Sequence, residues 1–153
     1  MRRHFFRNRA GSAALEFAIC APVMLGLFAG MVDVGNLLRA RVTLATAVAT
    51  AAQFAGMTGA SVTAANLQNV VTNVATTEGL AATSTVTGPA CYCPTAYPVT
   101  LSAATCGTTC ATNSQTAGRY VIINARYTYT PVAPHLSKIV TTALTETATV
   151  LLQ

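Results

Sequence analysis

The spacing of apolar positions changes character along the chain. Residues 17–38, FAICAPVMLGLFAGMVDVGNLL, form an apolar run of 22 positions broken by one acid, Asp33. As a helix this run measures about 33 Å, enough for the roughly 30 Å hydrocarbon core of a bilayer. Beyond it the helical pattern continues. Val42, Ala45, Ala49 and Gln53 recur on one face, with Leu44, Val48, Ala51 and Ala55 on the neighbouring face. Gly56 and Gly59 supply stop signals. One helix over about 13–58 is therefore predicted, roughly 69 Å long at 1.5 Å per residue. A second, shorter helix is expected over 63–78, capped by Ser61 or Thr63, with Leu67, Val70, Val71 and Val74 at i, i+3, i+4 and i+7.

The period then shifts to two. In 119–130, Val121, Ile123, Ala125, Tyr127 and Tyr129 alternate with Tyr120, Ile122, Asn124, Arg126, Thr128 and Thr130. This is a strand, ended by Pro131 and Pro134. Residues 141–152 alternate Leu144, Glu146, Ala148, Val150 and Leu152 against threonines, a second strand. An antiparallel pair joined by a loop at 131–139, half-buried against the long helix, follows from the pattern. Between helices and strands, 82–118 is rich in Thr, Ser, Ala and Pro and reads as a loop. The predicted class is α+β: a long N-terminal helix, transmembrane in its first half, packed on a small antiparallel sheet with a disulfide-stapled loop.

The disulfide expectation rests on Cys91, Cys93, Cys106 and Cys110. Four arginines precede the apolar run and two follow it, which places the short N-terminus in the cytoplasm and the rest across the membrane. Cysteines in an oxidising compartment pair. A Cys91–Cys93 ring would be strained, leaving crossed or nested links to Cys106 and Cys110. A zinc site is the rival, but C-x-C with C-x₃-C departs from the usual C-x₂-C spacing. Cys20, inside the run, reads as a small apolar residue.

Charge removes several functions. The formal net charge is +5 on 153 residues, but Arg2, Arg3, Arg7 and Arg9 carry most of it. From Gly11 onward, Arg39, Arg41, Arg119, Arg126 and Lys138 face Glu16, Asp33, Glu78 and Glu146. No clustered basic face exists to neutralise phosphates, so nucleic acid is not an expected partner. The only domain carboxylate pair would be Glu78 with Glu146, and His135 sits in a Pro-flanked loop without a neighbouring acid. No G-x-S-x-G, phosphate-binding-loop or H-E-x-x-H pattern occurs. General acid–base chemistry needs titratable groups held together. No catalytic residue, metal or cofactor is expected.

Before the span stands Arg-Asn-Arg-Ala-Gly11-Ser12-Ala13-Ala14-Leu15-Glu16-Phe17. An acid at the helix start is favoured by the macrodipole. An acid in mid-membrane costs about 2.5–3.5 kcal/mol. Were the chain cleaved after Gly11, the new amine of Ser12 would offset that cost, since a pair at 4 Å and a dielectric of 20 attracts by about 4 kcal/mol. Within the span, Ala14, Ala18, Pro22, Gly26 and Gly30 recur every four residues, either a close-packing helix face or the ordinary small residues of spans. Pro22 removes the hydrogen bond to Ala18. Asp33 is either an interfacial acid within reach of Arg39 or Arg41, or a subunit contact.

Together these residues resemble the TadE/TadG-like pseudopilins of the tight-adherence (Flp-type) pilus system. The likeness covers the first third of the chain: basic leader, Gly11, Glu16-Phe17, Pro22, and Asp33-Val34-Gly35 before the basic edge. Asn36 stands where the family commonly has Arg or Lys. The resemblance implies removal of a leader, 1–11, by a prepilin peptidase acting between Gly11 and Ser12. It also implies a transmembrane helix over 12–38 and a pilin-like extracytoplasmic part over 39–153. The implied function is a non-enzymatic minor pseudopilin for pilus assembly. Its implied partners are other pilins or pseudopilins and the inner-membrane assembly platform, and its place is the bacterial inner membrane, single-pass, with a periplasmic domain, or the extracellular fibre. A membrane-anchored adhesion module is the second expectation. A secreted protein with a signal peptide is a third, weakened because no Ala-x-Ala site closes the run.

Overall fold

A computed structural model of the chain describes residues 9–95, 100–133, 138 and 141–152. Helix α1 spans Arg9–Thr58, continuous through Pro22. It ends in a short 3₁₀ turn, Gly59–Ser61, opened by Gly59 at a φ of 59°. Gly relieves the steric cost of that left-handed conformation. Helix α2 spans Ala64–Thr77, and its N-cap is Thr63, whose hydroxyl accepts from the Asn66 N–H. Strands β1 (Thr83–Pro94), β2 (Leu101–Ala103), β3 (Gly118–Thr128) and β4 (Ala143–Leu152) form one antiparallel sheet in the order β2-β1-β3-β4.

The core lies between one face of the sheet and the two helices. The second half of α1 contributes Ala40, Leu44, Ala47, Val48, Ala51 and Ala55; α2 contributes Leu67, Val71 and Ala75; β3 contributes Val121, Ile123 and Ala125. Of the two α1 faces, the Leu44–Ala55 face is buried and Val42, Ala45, Ala49 and Gln53 are exposed. The alanines matter for approach. A small side chain lets the helix axis come close to the sheet, where a larger one would hold it off. Helical threonines satisfy their hydroxyls locally, as Thr46 does on the Val42 carbonyl and Thr76 on that of Thr72.

The expected β3–β4 pair is present, with Val121 opposite Val150 and Ile123 opposite Ala148. The reading of 82–118 as a loop is corrected. It contains β1 and β2, and β1 pairs with β3 from Thr83↔Arg126 to Tyr92↔Gly118. Two features hide β1 from hydropathy. Its alternation sets Thr83, Thr85 and Thr87 against Ser84 and Val86, a small contrast in polarity. Its register then shifts between Thr87 and Ala90, at Gly88-Pro89, which breaks the period. Gly88 is required there. At a φ of 98°, a Cβ on it would stand 2.8 Å from the Tyr120 carbonyl oxygen.

Both cysteine pairs are disulfides, Cys91–Cys106 and Cys93–Cys110, with Cα separations of 5.2 and 5.5 Å. The links are crossed, one of the two expected arrangements. With every sulfur of the set so engaged, the four cysteines hold no metal.

Candidate functional site

The first half of α1 touches little else. Phe17, Phe28 and Met31 are 74%, 68% and 76% exposed, and Leu15, Ile19, Met24 and Leu27 are similar. Apolar side chains this exposed over several turns mark a surface meant for an apolar environment. Among the described residues, this is the one helix long and apolar enough to cross a membrane. Of the stripe Ala14, Ala18, Pro22, Gly26 and Gly30, a Cβ on Gly26 or Gly30 would meet nothing within 4 Å. Nothing in the fold occupies that side. Cys20 is a free, exposed thiol on the same segment, and Glu16 and Phe17 are exposed near its start. Gly11 and Ser12 lie within the helical backbone of α1. Arg2, Arg3, Arg7 and His135 lie outside the described residues.

Where this bare helix meets the domain stands Asp33. It is fully buried. Its Oδ1 accepts hydrogen bonds from the Tyr129 hydroxyl at 2.7 Å and the Val132 N–H at 2.8 Å, and its Oδ2 accepts from the Ala133 N–H at 2.7 Å. Neither Arg39 nor Arg41 is its partner. Arg39 lies 3.8 Å from Glu78 and Arg41 lies 3.5 Å from Glu146. Those pairs are largely exposed and contribute about 0–1 kcal/mol each. They also hold the two domain carboxylates on separate arginines. Hydrogen bonds to a charged acceptor are worth about 1.5–3 kcal/mol each, so the Asp33 cluster outweighs both ion pairs.

The cluster is assembled by the end of β3. The strand's period carries Tyr129 on the same side as Val121, Ile123 and Ala125, toward α1, and Pro131 then turns the backbone so that two successive N–H groups face one carboxylate. Tyr129 holds its proton above the ordinary phenol range, first because its hydroxyl donates to Asp33 and second because the ring is desolvated; a hydrogen bond with Asn36 opposes both. Tyr129 and the two backbone donors were not evident in the sequence as Asp33 partners. The only signal was a tyrosine, an apolar ring with a polar tip, just before a proline-bounded turn.

Residues 11–53 match the family model of TadE-like protein. No curated protein and no solved structure is significantly similar to the chain. The TadE-like segment begins at Gly11 and contains the whole exposed apolar stretch, Asp33-Val34-Gly35, and the first part of the buried helix. It supports a pilus-associated role. Within it, Asp33 of Asp-x-Gly ties the exposed half of α1 to the turn after β3.

Proposed function

We propose that this chain is a minor pseudopilin-like subunit serving assembly of a tight-adherence type IV (Flp) pilus, without enzymatic activity. The observation that carries this reading is one helix with two surfaces: residues matching the TadE-like family expose apolar side chains in their first half and form the core of a domain in their second. In this reading a prepilin peptidase removes residues 1–11, and the chain rests in the inner membrane with its domain in the periplasm. Glu16, fifth in the processed chain, pairs with the Ser12 amine of its own or a neighbouring subunit. The Ala18, Pro22, Gly26 and Gly30 side packs against other pilins or pseudopilins or the assembly platform. Deleting the gene and scoring fibres by electron microscopy tests the reading. Loss of fibres supports it, and normal fibres overturn it.

One observation favours adhesion as a second reading. β3 is 11 residues long, about 36 Å, and its far end from Asp33 lies beside the two disulfides. A stapled surface is thereby held away from the membrane. Normal fibres with poor attachment in the deletion strain would select this reading.

A further inference from the structure

The turn bound by Asp33 places an apolar side chain at the edge of the exposed helix. The exposed apolar side chains of α1 continue as far as Leu38 and Val42, but from Asn36 onward exposed Asn36, Arg39 and Arg41 stand among them. The stretch before these, Leu15 to Val34, covers 20 residues, about 30 Å, the thickness of a hydrocarbon core. Asp33 lies at the end of that length. Because its carboxylate accepts the N–H groups of Val132 and Ala133, the turn is held against the helix at that level. Val132 nevertheless points away from the protein, 71% exposed. Two donors of the turn are already satisfied by Asp33, which lowers the cost of bringing its backbone into a poorly hydrated zone. Arg126, three residues before Tyr129, and Lys138, in the same β3–β4 connection, are exposed and form no ion pair among the described residues. Cations of this kind suit headgroup phosphates, with their stems laid along the interface.

We propose that the Pro131–Ala133 turn is a foot that seats the domain on the lipid surface, with Val132 entering the boundary between headgroups and acyl chains. The occupant is the bilayer itself, because the exposed Val132 is tied through Asp33 to the end of the helix's exposed apolar length. This inference rests on the reading of α1 as a membrane span. Seating fixes the tilt of the helix and its domain relative to the bilayer, which a single span leaves free.

The test uses the full chain in a Cys20→Ala background, with the disulfides oxidised, in vesicles of phosphatidylcholine and phosphatidylglycerol. Val132→Cys, Leu25→Cys and Thr147→Cys are each labelled with an environment-sensitive fluorophore and quenched by lipid-borne nitroxides at shallow or deep positions. The expected result is shallow quenching at position 132, deep quenching at 25 and none at 147, on the exposed sheet face. Quenching at 25 without quenching at 132 overturns the foot and leaves the span intact. No quenching at 25 overturns the span and the foot with it. Equal quenching at 147 and 132 shows contact without a defined seat, and also overturns the proposal.

Discussion

Tyr129 donates a 2.7 Å hydrogen bond to Asp33 from 96 positions further along the chain. The bond joins the end of the exposed apolar helix to the end of the central strand. A buried carboxylate with three donors is expensive to disturb, since each donor left without an acceptor costs about 1–3 kcal/mol. The core already fixes the second half of α1 to the sheet, and this cluster adds a tie one turn or more further toward the exposed half.

Asp33→Asn should destabilise the domain by about 1–3 kcal/mol, because the amide nitrogen cannot accept one of the three donated protons. Denaturant unfolding in mild detergent, followed by near-ultraviolet circular dichroism, reads the change. An unaltered midpoint would show that the cluster contributes nothing net.

The phenol of Tyr129 gives this cluster a pH signature. Its folded pKa is raised, chiefly by donating to Asp33 and then by desolvation, so the fold favours the neutral ring. The associated stability is complete below the unfolded value of about 10 and is lost as pH rises through the higher folded value. Tyrosinate absorbance should show a component that ionises late, and Tyr129→Phe should remove it at a cost of about 1–2 kcal/mol. A titration of identical shape in the variant would refute the assignment.

On the proposed processing after Gly11, Gly11→Leu should block removal of residues 1–11, because the isobutyl group would crowd a site that accepts glycine. N-terminal sequencing of the membrane-extracted wild type should begin at Ser12, and the variant should keep its full-length mobility. Glu16→Ala should still be processed but lose against wild type in a competition for incorporation into fibres. Equal incorporation would sink the pairing role of Glu16.

Reduction should loosen one end of the molecule before the other. The disulfides close loops of 15 and 17 residues in sequence separation. Each is worth about 3 kcal/mol in the chain-entropy model. Without them the small cluster of Ala117 with the cysteines should open to protease, whereas the core of α1, α2 and β3 persists. Mass spectrometry under non-reducing conditions should find these four thiols protected from alkylation; four free thiols would contradict both bonds.

The sequence alone determined those elements whose side chains differ strongly in polarity from their neighbours or repeat over many turns. The long helix, α2, β3 and β4 belong to this group, as do the exposed apolar stretch and the pairing of cysteines across 91–110. Hydropathy with period 3.6 or 2 is a local quantity, set by which side chains must leave water together. Three matters were decided only by tertiary structure. Which face of α1 is buried was one, because Val42, Ala45 and Ala49 differ little in polarity from Val48, Ala51 and Ala55, and the fit of Leu44 and the alanines against the sheet decides. β1 was another, since its threonine–serine alternation and its bulge at Gly88 carry almost no hydropathic period, and pairing with β3 supplies the missing stabilisation. The partner of Asp33 was the third. The sequence left Asp33 open between Arg39 or Arg41, about two turns away, and a subunit contact, but a buried carboxylate is satisfied by whichever donors the fold brings to it, and here those are a tyrosine and two backbone N–H groups from beyond the end of β3.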